Sequence, residues 1–283
     1  MQTVGTTILL LESYMKSLTK TEQKVGKYIM AHADQVIYFS VTELAERADV
    51  GETTVLRLCR KLKFKGFQDF KLSLAQDLVK PIEHLHSEIT EEDDIATLKS
   101  KVFSSHIAVL EHTRELLQEE QLLRVVDLIV QAESIHFFGV GSSGLTAAQA
   151  ALSFLRIGKR SFAREDTHFQ AIDAAMMTDR MVAIGLSISG STKDTMEHLQ
   201  LAKQAGAKVV AITSNARSPI TKLADHTLLM VSRETPMQGS SMTAKISQLA
   251  VIDILNVAVA LRMQEVAIAT RERTAKAISD KMF

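Results

Sequence analysis

The chain has 283 residues, 46% of them hydrophobic and 23% charged, and its 33 basic and 33 acidic side chains leave a formal net charge of zero. That length suits two domains better than one, and the even charge balance argues against indiscriminate attachment to nucleic acid. A single cysteine, Cys59, excludes an internal disulfide framework and fits a reducing compartment.

The N-terminal run MQTVGTTILLLESYMK has no basic region and no small-residue cleavage site, so it does not read as a signal peptide. Four helices are expected before residue 80: Leu18–Ala31, Val41–Ala48, Thr53–Leu62 and Gly66–Leu78. The middle pair carries the first chemical signal. Ser40 can cap a helix whose apolar positions are Val41, Leu44, Ala45 and Ala48, and a short turn, Asp49–Glu52, follows. The next helix buries Val55, Leu58, Cys59 and Leu62, an i, i+3, i+4, i+7 stripe. Its other face presents Thr53, Thr54, Arg57, Arg60 and Lys61. Short hydroxyl side chains at the start of a helix, with guanidinium groups one and two turns on, suit contact with phosphates and base edges of double-stranded DNA. Charge concentrates in the same place: Arg57, Arg60, Lys61, Lys63, Lys65 and Lys71 face only Asp69. A helical hairpin with a solvated basic face is the plainer reading, and the turn length combined with the charge bias favours DNA. Cys59, on the buried stripe, is expected to be a small core residue and not a reactive thiol.

Pro81 and the acidic residues Glu83, Glu88, Glu91, Glu92, Asp93 and Asp94 mark a linker over 81–98, which separates a first domain at 1–80 from a second at 99–283. In the second domain, helix-length segments alternate with short apolar runs: IHFFGV (135–140), MVAIGL (181–186), KVVAIT (208–213) and HTLLMV (226–231). The expected fold is therefore an all-α helix-turn-helix domain followed by an α/β domain with a doubly wound parallel sheet. A long apolar helix, Ser241–Met263, and a charged tail close the chain. No stretch approaches the roughly 18 uncharged apolar residues of a membrane span. The most apolar, Ile246–Leu261, contains Gln248, Asp253 and Asn256, so a cytoplasmic chain without membrane contact is expected.

Two of the strands end alike. The first is followed by Gly139-Val-Gly141-Ser142-Ser143-Gly144 and a helix over 145–157; the second by Ser187-Ile-Ser189-Gly190-Ser191-Thr192 and a helix over 193–206. Glycines allow close backbone approach, amides at a helix start point outward and hydroxyls add donors, which together suit a phosphate. Two polar loops with helix caps are the plainer reading. A nucleotide P-loop is missing, a serine-hydrolase elbow fails because Ser189 stands where glycine is needed, and a dinucleotide fingerprint is set aside. Lys245 is the one cation between Arg233 and Arg262; it either snorkels to solvent or supplies a fixed positive charge beside an anion.

TELAERADVGETTVLRLCRKLKFKGFQDFK resembles the N-terminal domain of RpiR-type bacterial transcriptional regulators, and the paired serine loops resemble the sugar isomerase-like (SIS) fold of phosphosugar isomerases and their regulatory relatives. The resemblance runs from about Leu18 to Met263, with Gly51 standing where serine is commoner. It implies Ser142, Ser143, Ser187, Ser189, Ser191 and Thr192 as phosphate-binding hydroxyls, Ser143 and Ser187 foremost. It also draws attention to Asp166 and His168, which match an acid-x-His segment that faces the sugar in such regulators.

Three functions are weighed: a phosphosugar-responsive transcription factor, an aldose–ketose isomerase with an accessory domain, and a DNA-binding scaffold whose α/β half only dimerises. An isomerase needs a base, for which His168 or Glu234 could serve, yet it has no need of a helix-turn-helix. A passive scaffold leaves both loops without a task. The reading adopted is a regulator, inclined to repression of sugar catabolism genes, that binds a DNA operator and a phosphosugar such as N-acetylmannosamine 6-phosphate, acts as a homodimer or larger homo-oligomer, and is not an enzyme. No cofactor is expected, and no metal, since His84 and His86 lack a third fixed ligand.

Overall fold

The computed structural model describes residues 6–78, 89–90, 92–232 and 242–279. It divides into two compact units, the first reaching Ala108 and the second starting at Val109.

The first unit is helical: α1 (Thr6–Tyr14), a 3-10 turn (Met15–Ser17), α2 (Lys20–Ala31), α3 (Ala33–Val36), α4 (Val41–Arg47), α5 (Glu52–Lys61), α6 (Phe67–Leu78) and the start of α7 (Ile95–Leu116). The N-terminal apolar run is thus a helix, and Leu11 from it lies fully buried with Val25, Ile29, Leu44, Val55, Leu58 and Leu74. The last four residues of the expected linker, 95–98, form the first turn of α7. Thr19 and Glu22 close a capping box at the start of α2: the Glu22 amide donates to Thr19 Oγ1 at 3.4 Å and the Thr19 amide to Glu22 Oε2 at 2.8 Å. Burial alone would raise the Glu22 carboxyl, but the Thr19 amide and the Lys61 ammonium outweigh it and hold it below the usual carboxylate range.

The second unit follows with α8 (Glu119–Gln131), β1 (Ser134–Phe138), α9 (Ser142–Arg156), β2 (Ser161–Ala163), α10 (Thr167–Ala175), β3 (Met181–Leu186), α11 (Lys193–Gln204), β4 (Lys208–Thr213), α12 (Pro219–Leu223), β5 (His226–Leu229), α13 (Met242–Arg262) and α14 (Gln264–Ser279). All strand pairs are parallel, in the order β2-β1-β3-β4-β5. The expected parallel α/β domain is present, with one strand, β2, that the sequence reading lacked. The charged tail is the helix α14.

Alternate strand residues feed two cores. Ile135, Phe137, Ile184 and Ile212 pack with α8, α9 and α13, whereas Phe138, Ala183, Val209 and Ala211 pack with α10, α11 and α12. Runs of apolar residues buried on both sides are what a doubly covered parallel sheet requires. Gly185 of β3 has no Cβ because one would sit 2.3 Å from Leu199 Cδ1 on α11. By length and composition α13 could cross a membrane, contrary to the sequence reading. Its Ala244, Val251, Leu255 and Val259 are instead buried in the core against the sheet.

Candidate functional site

In the first unit the chemistry lies on α5. Ser40 caps α4 by accepting the Glu43 amide at 3.0 Å, and Asp49 turns the chain with a left-handed φ of 52° before Gly51 caps α5. Asp49 is held there by Lys24 at 2.6 Å, which keeps its carboxyl below the usual range. Thr53, Arg57 and Arg60 are exposed on α5. Thr54 is not on that face: it is 6% exposed, and its hydroxyl receives the Arg57 guanidinium at 3.5 Å. Lys61 is exposed but committed, bonding Glu22 Oε2 at 3.0 Å and Ser17 O at 3.3 Å. Lys71, counted above with the basic patch, is 5% exposed, donates to Phe39 O at 2.8 Å and has its pKa pushed down to about 8 by burial. Cys59 is buried as expected, and burial pushes its thiol up to about 12.

In the second unit the two serine turns leave neighbouring strands. β1 feeds α9 on one face of the sheet and β3 feeds α11 on the other, so the turns flank the topological switch point, where open α/β sheets hold ligands. Ser142 and Ser143 are the first residues of α9, so their amides have no acceptor within the helix. Gly141 precedes them at φ 59°, and a Cβ on Gly139 would meet Ser143 O at 2.9 Å. In the second turn, the Ser187 and Thr192 hydroxyls bond each other at 2.9 Å, and the Ser191 amide donates to Ser189 Oγ at 3.3 Å. Gly190 adopts φ 65°, and a Cβ there would lie 2.2 Å from Ser218 Oγ.

Several residues that hold these turns were missed in the sequence. Gln170 Nε2 donates to Gly139 O at 2.9 Å, its Oε1 accepts the Gly139 amide at 3.3 Å, and the side chain is 1% exposed. Gln248 of α13 reaches Ser143 Oγ at 3.1 Å. The β4 turn braces the β3 turn: Thr213 and Ser214 hydroxyls donate to Ile188 O at 3.1 and 2.8 Å, and Asn215 Nδ2 to Ser189 O at 3.2 Å. A third hydroxyl-rich strand end, TSN at 213–215, was the available signal. The glutamines, each within an apolar helix, gave none.

Lys245 is half-buried on α13, three residues before Gln248 and hence on a neighbouring part of the same helical surface. His168 is exposed at the second position of α10, which starts beyond the same end of the sheet because β2 runs parallel to β1. Asp166 caps that helix by accepting the Phe169 amide at 3.0 Å. His84, His86 and Glu234 lie outside the described residues. Among the described residues no cluster of three metal-ligating side chains occurs.

Two rival chemistries need a structural answer. Gly139, Gly141 and Gly144 do meet the full G-x-G-x-x-G spacing between β1 and α9, and Glu165 and Asp166 follow β2, so spacing does not exclude a dinucleotide. Topology opposes it. The strand order is 2-1-3-4-5 and not the 3-2-1-4-5-6 of the dinucleotide fold, and the Asp166 carboxylate is occupied as a cap. Ser134, His136 and Asp173 form a chain with links of 2.9 and 2.9 Å, the spacing of a nucleophilic triad. Ser134, however, opens β1 at the end of the strands opposite the serine turns and is 4% exposed. That chain is a core network tying β1 to α10.

Residues 6–81 match the family model of the rpiR-family helix-turn-helix domain, and residues 128–258 match that of the SIS domain. An HTH-type transcriptional regulator of Haemophilus influenzae is 37% identical over 98% of both chains. The chain belongs to the RpiR family. This RpiR chain is thus an HTH-type transcriptional regulator, a DNA-binding helix-turn-helix followed by a SIS domain. Among solved structures, the Vibrio vulnificus NanR protein complexed with ManNAc-6P is 29% identical, covers 98% of this chain and 99% of its own, and superposes with a TM-score of 0.86. The bifunctional protein glk of Paraburkholderia xenovorans is 35% identical over 92% of this RpiR chain, a match that takes in 41% of glk.

Proposed function

We propose that this regulator grips a double-stranded DNA operator through α5 and that a phosphosugar, bound where the β1 and β3 turns meet, changes that grip. One observation carries the reading: two hydroxyl-lined helix starts stand at adjacent strand ends on either side of the switch point. Ser142, Ser143, Ser187, Ser189, Ser191 and Thr192 supply neutral donors for the phosphate, and His168 and Lys245 address the sugar and its charge. Exposed Thr53, Arg57 and Arg60 contact the operator, with Lys61 and Thr54 supporting them. The functional division is a reading domain at 1–80, a connector at 81–98 and an effector domain at 99–283. The protein works in the cytoplasm as a homodimer or larger assembly, since paired reading helices reach half-sites about 34 Å apart.

The NanR complex makes ManNAc-6P the first effector to try, and repression of sugar catabolism relieved by the effector is the response adopted. Isomerase activity is the runner-up. Against it, among the described residues no acidic or basic side chain hydrogen-bonds to the turn hydroxyls, and His168 is exposed. The match to glk covers the smaller part of that protein, which leaves its second activity room elsewhere.

The test is a melting-temperature screen with ManNAc-6P, glucose 6-phosphate and inorganic phosphate, followed by operator titration with and without the ligand that binds. A ligand at 100 times its Kd stabilises the folded chain by about 2.7 kcal/mol, a readily visible shift. If no phosphosugar raises the melting temperature at millimolar concentration while operator binding is intact, the effector reading is wrong.

A further inference from the structure

Gln248 lies fully buried in α13, and its amide is half used. Nε2 donates to Ser143 Oγ at 3.1 Å, while Oε1, shut off from solvent, finds no hydrogen-bond partner among the described residues. A buried carbonyl oxygen left unpaired destabilises the fold, so an apolar side chain would serve the core better at this position. The amide therefore has another purpose, and its one bond shows which. Ser143 Oγ acts as acceptor toward Gln248, which leaves its own proton to be donated elsewhere, and among the described residues no acceptor takes it. The opposite amide orientation would consume that proton and strand both N–H donors, where this one strands one N–H and the carbonyl oxygen; an orphaned buried N–H is the rarer of the two.

We propose that Gln248 is a positioning residue of the anion site, holding the Ser143 hydroxyl oxygen so that its proton points to a bound phosphate. This rests on the phosphosugar reading above. The bond also places a residue of α13, the helix that carries Lys245, directly on the β1 turn. No contact between Gln248 and the ligand is required.

The experiment is calorimetric titration of the full chain with ManNAc-6P and with inorganic phosphate. Gln248→Met weakens both probes about tenfold, as does Ser143→Ala, and the double variant is no weaker than Ser143→Ala, because the amide acts only through that hydroxyl. Losses that multiply in the double variant overturn the proposal. Gln248→Glu gives a second readout that does not depend on Gln248→Met folding. Its ionised carboxylate takes the Ser143 proton and repels the anion, whereas its protonated form is a donor like the amide. Affinity in that variant rises severalfold from pH 8 to pH 6, whereas in the natural protein it falls as the phosphate takes up its proton near pH 6. Parallel pH profiles also overturn it. A natural protein that binds neither probe, yet folds and holds the operator, refutes the underlying site reading and not this assignment alone.

Discussion

Helix α5 of the first unit keeps Thr53, Arg57 and Arg60 in solvent, whereas the turns of the second unit hold Ser143 and Ser187 at 7% and 1% exposure with their hydroxyls already bonded to other side chains. The contrast fits the two ligands proposed. DNA is a long polyanion met over a broad face, and mobile exposed cations release counterions from it whatever their exact placement. A small phosphate is surrounded, and neutral donors bind it well only if they are fixed before it arrives. Errors in the first unit should therefore change affinity in small steps, and errors in the second should damage folding and binding together.

The sharpest way to break the comparison is Gly190→Ala. A side chain at φ 65° with its Cβ 2.2 Å from Ser218 Oγ forces the turn apart, and a loss of roughly 3 kcal/mol in urea unfolding is expected together with loss of phosphosugar binding. A variant as stable as the parent would show that the second turn is not preorganised.

Next in size is Lys71, the charge of the first unit that does not behave like its neighbours. Its folded pKa of about 8 lies below the ordinary 10.5, so the folded state resists the proton. The cost is fully present below pH 8 and vanishes above pH 10.5, so stability should rise through that window by about 3 kcal/mol at the most. Lys71→Met should raise the melting temperature at pH 7 and flatten that dependence, with a net gain of about 2 kcal/mol after Phe39 O loses its partner. Operator affinity should not change; a loss would place Lys71 at the DNA.

Arg57→Ala should weaken operator binding by about 1–3 kcal/mol in a gel-shift titration without affecting the phosphosugar. Lys61→Ala should cost less at the DNA and more in melting temperature, because Lys61 is tied to Glu22 and Ser17. Equal effects would restore Lys61 to the reading face. The smallest change is Ser187→Ala. About 1 kcal/mol of effector affinity should go, roughly a fivefold shift in the concentration needed for response, with operator affinity of the free protein unaltered.

How much of this was legible depended on whether a feature was local. β3 and β4 could be bounded to the residue because their apolar runs, MVAIGL and KVVAIT, are long and buried on both faces. β2 is only SFA, too short for any periodicity to show. Thr53 and Thr54 are equivalent in a linear count of hydroxyls, yet adjacent helical positions differ by about 100° and one turns inward. Lys71 misled for the same reason, as a charge counted along the chain and not around a helix. The serine turns were readable since glycine and hydroxyl clusters lie in sequence, but Gln170 and Gln248 meet those turns from 31 and 105 residues away. Long-range pairing of that kind leaves no mark on the local pattern.

One consequence concerns the order in which the polypeptide is made. The face of the sheet carrying Ile135, Phe137, Ile184 and Ile212 needs Val251, Leu255 and Val259 to cover it, and those residues are synthesised only after every strand has been translated. On the ribosome that greasy surface waits for the last of its cover, so the SIS half cannot close before α13 is complete at residue 262, whereas the reading head has all its helices up to α6 by residue 78. A stalled or truncated product would be a competent DNA-reading head attached to an uncovered, aggregation-prone sheet.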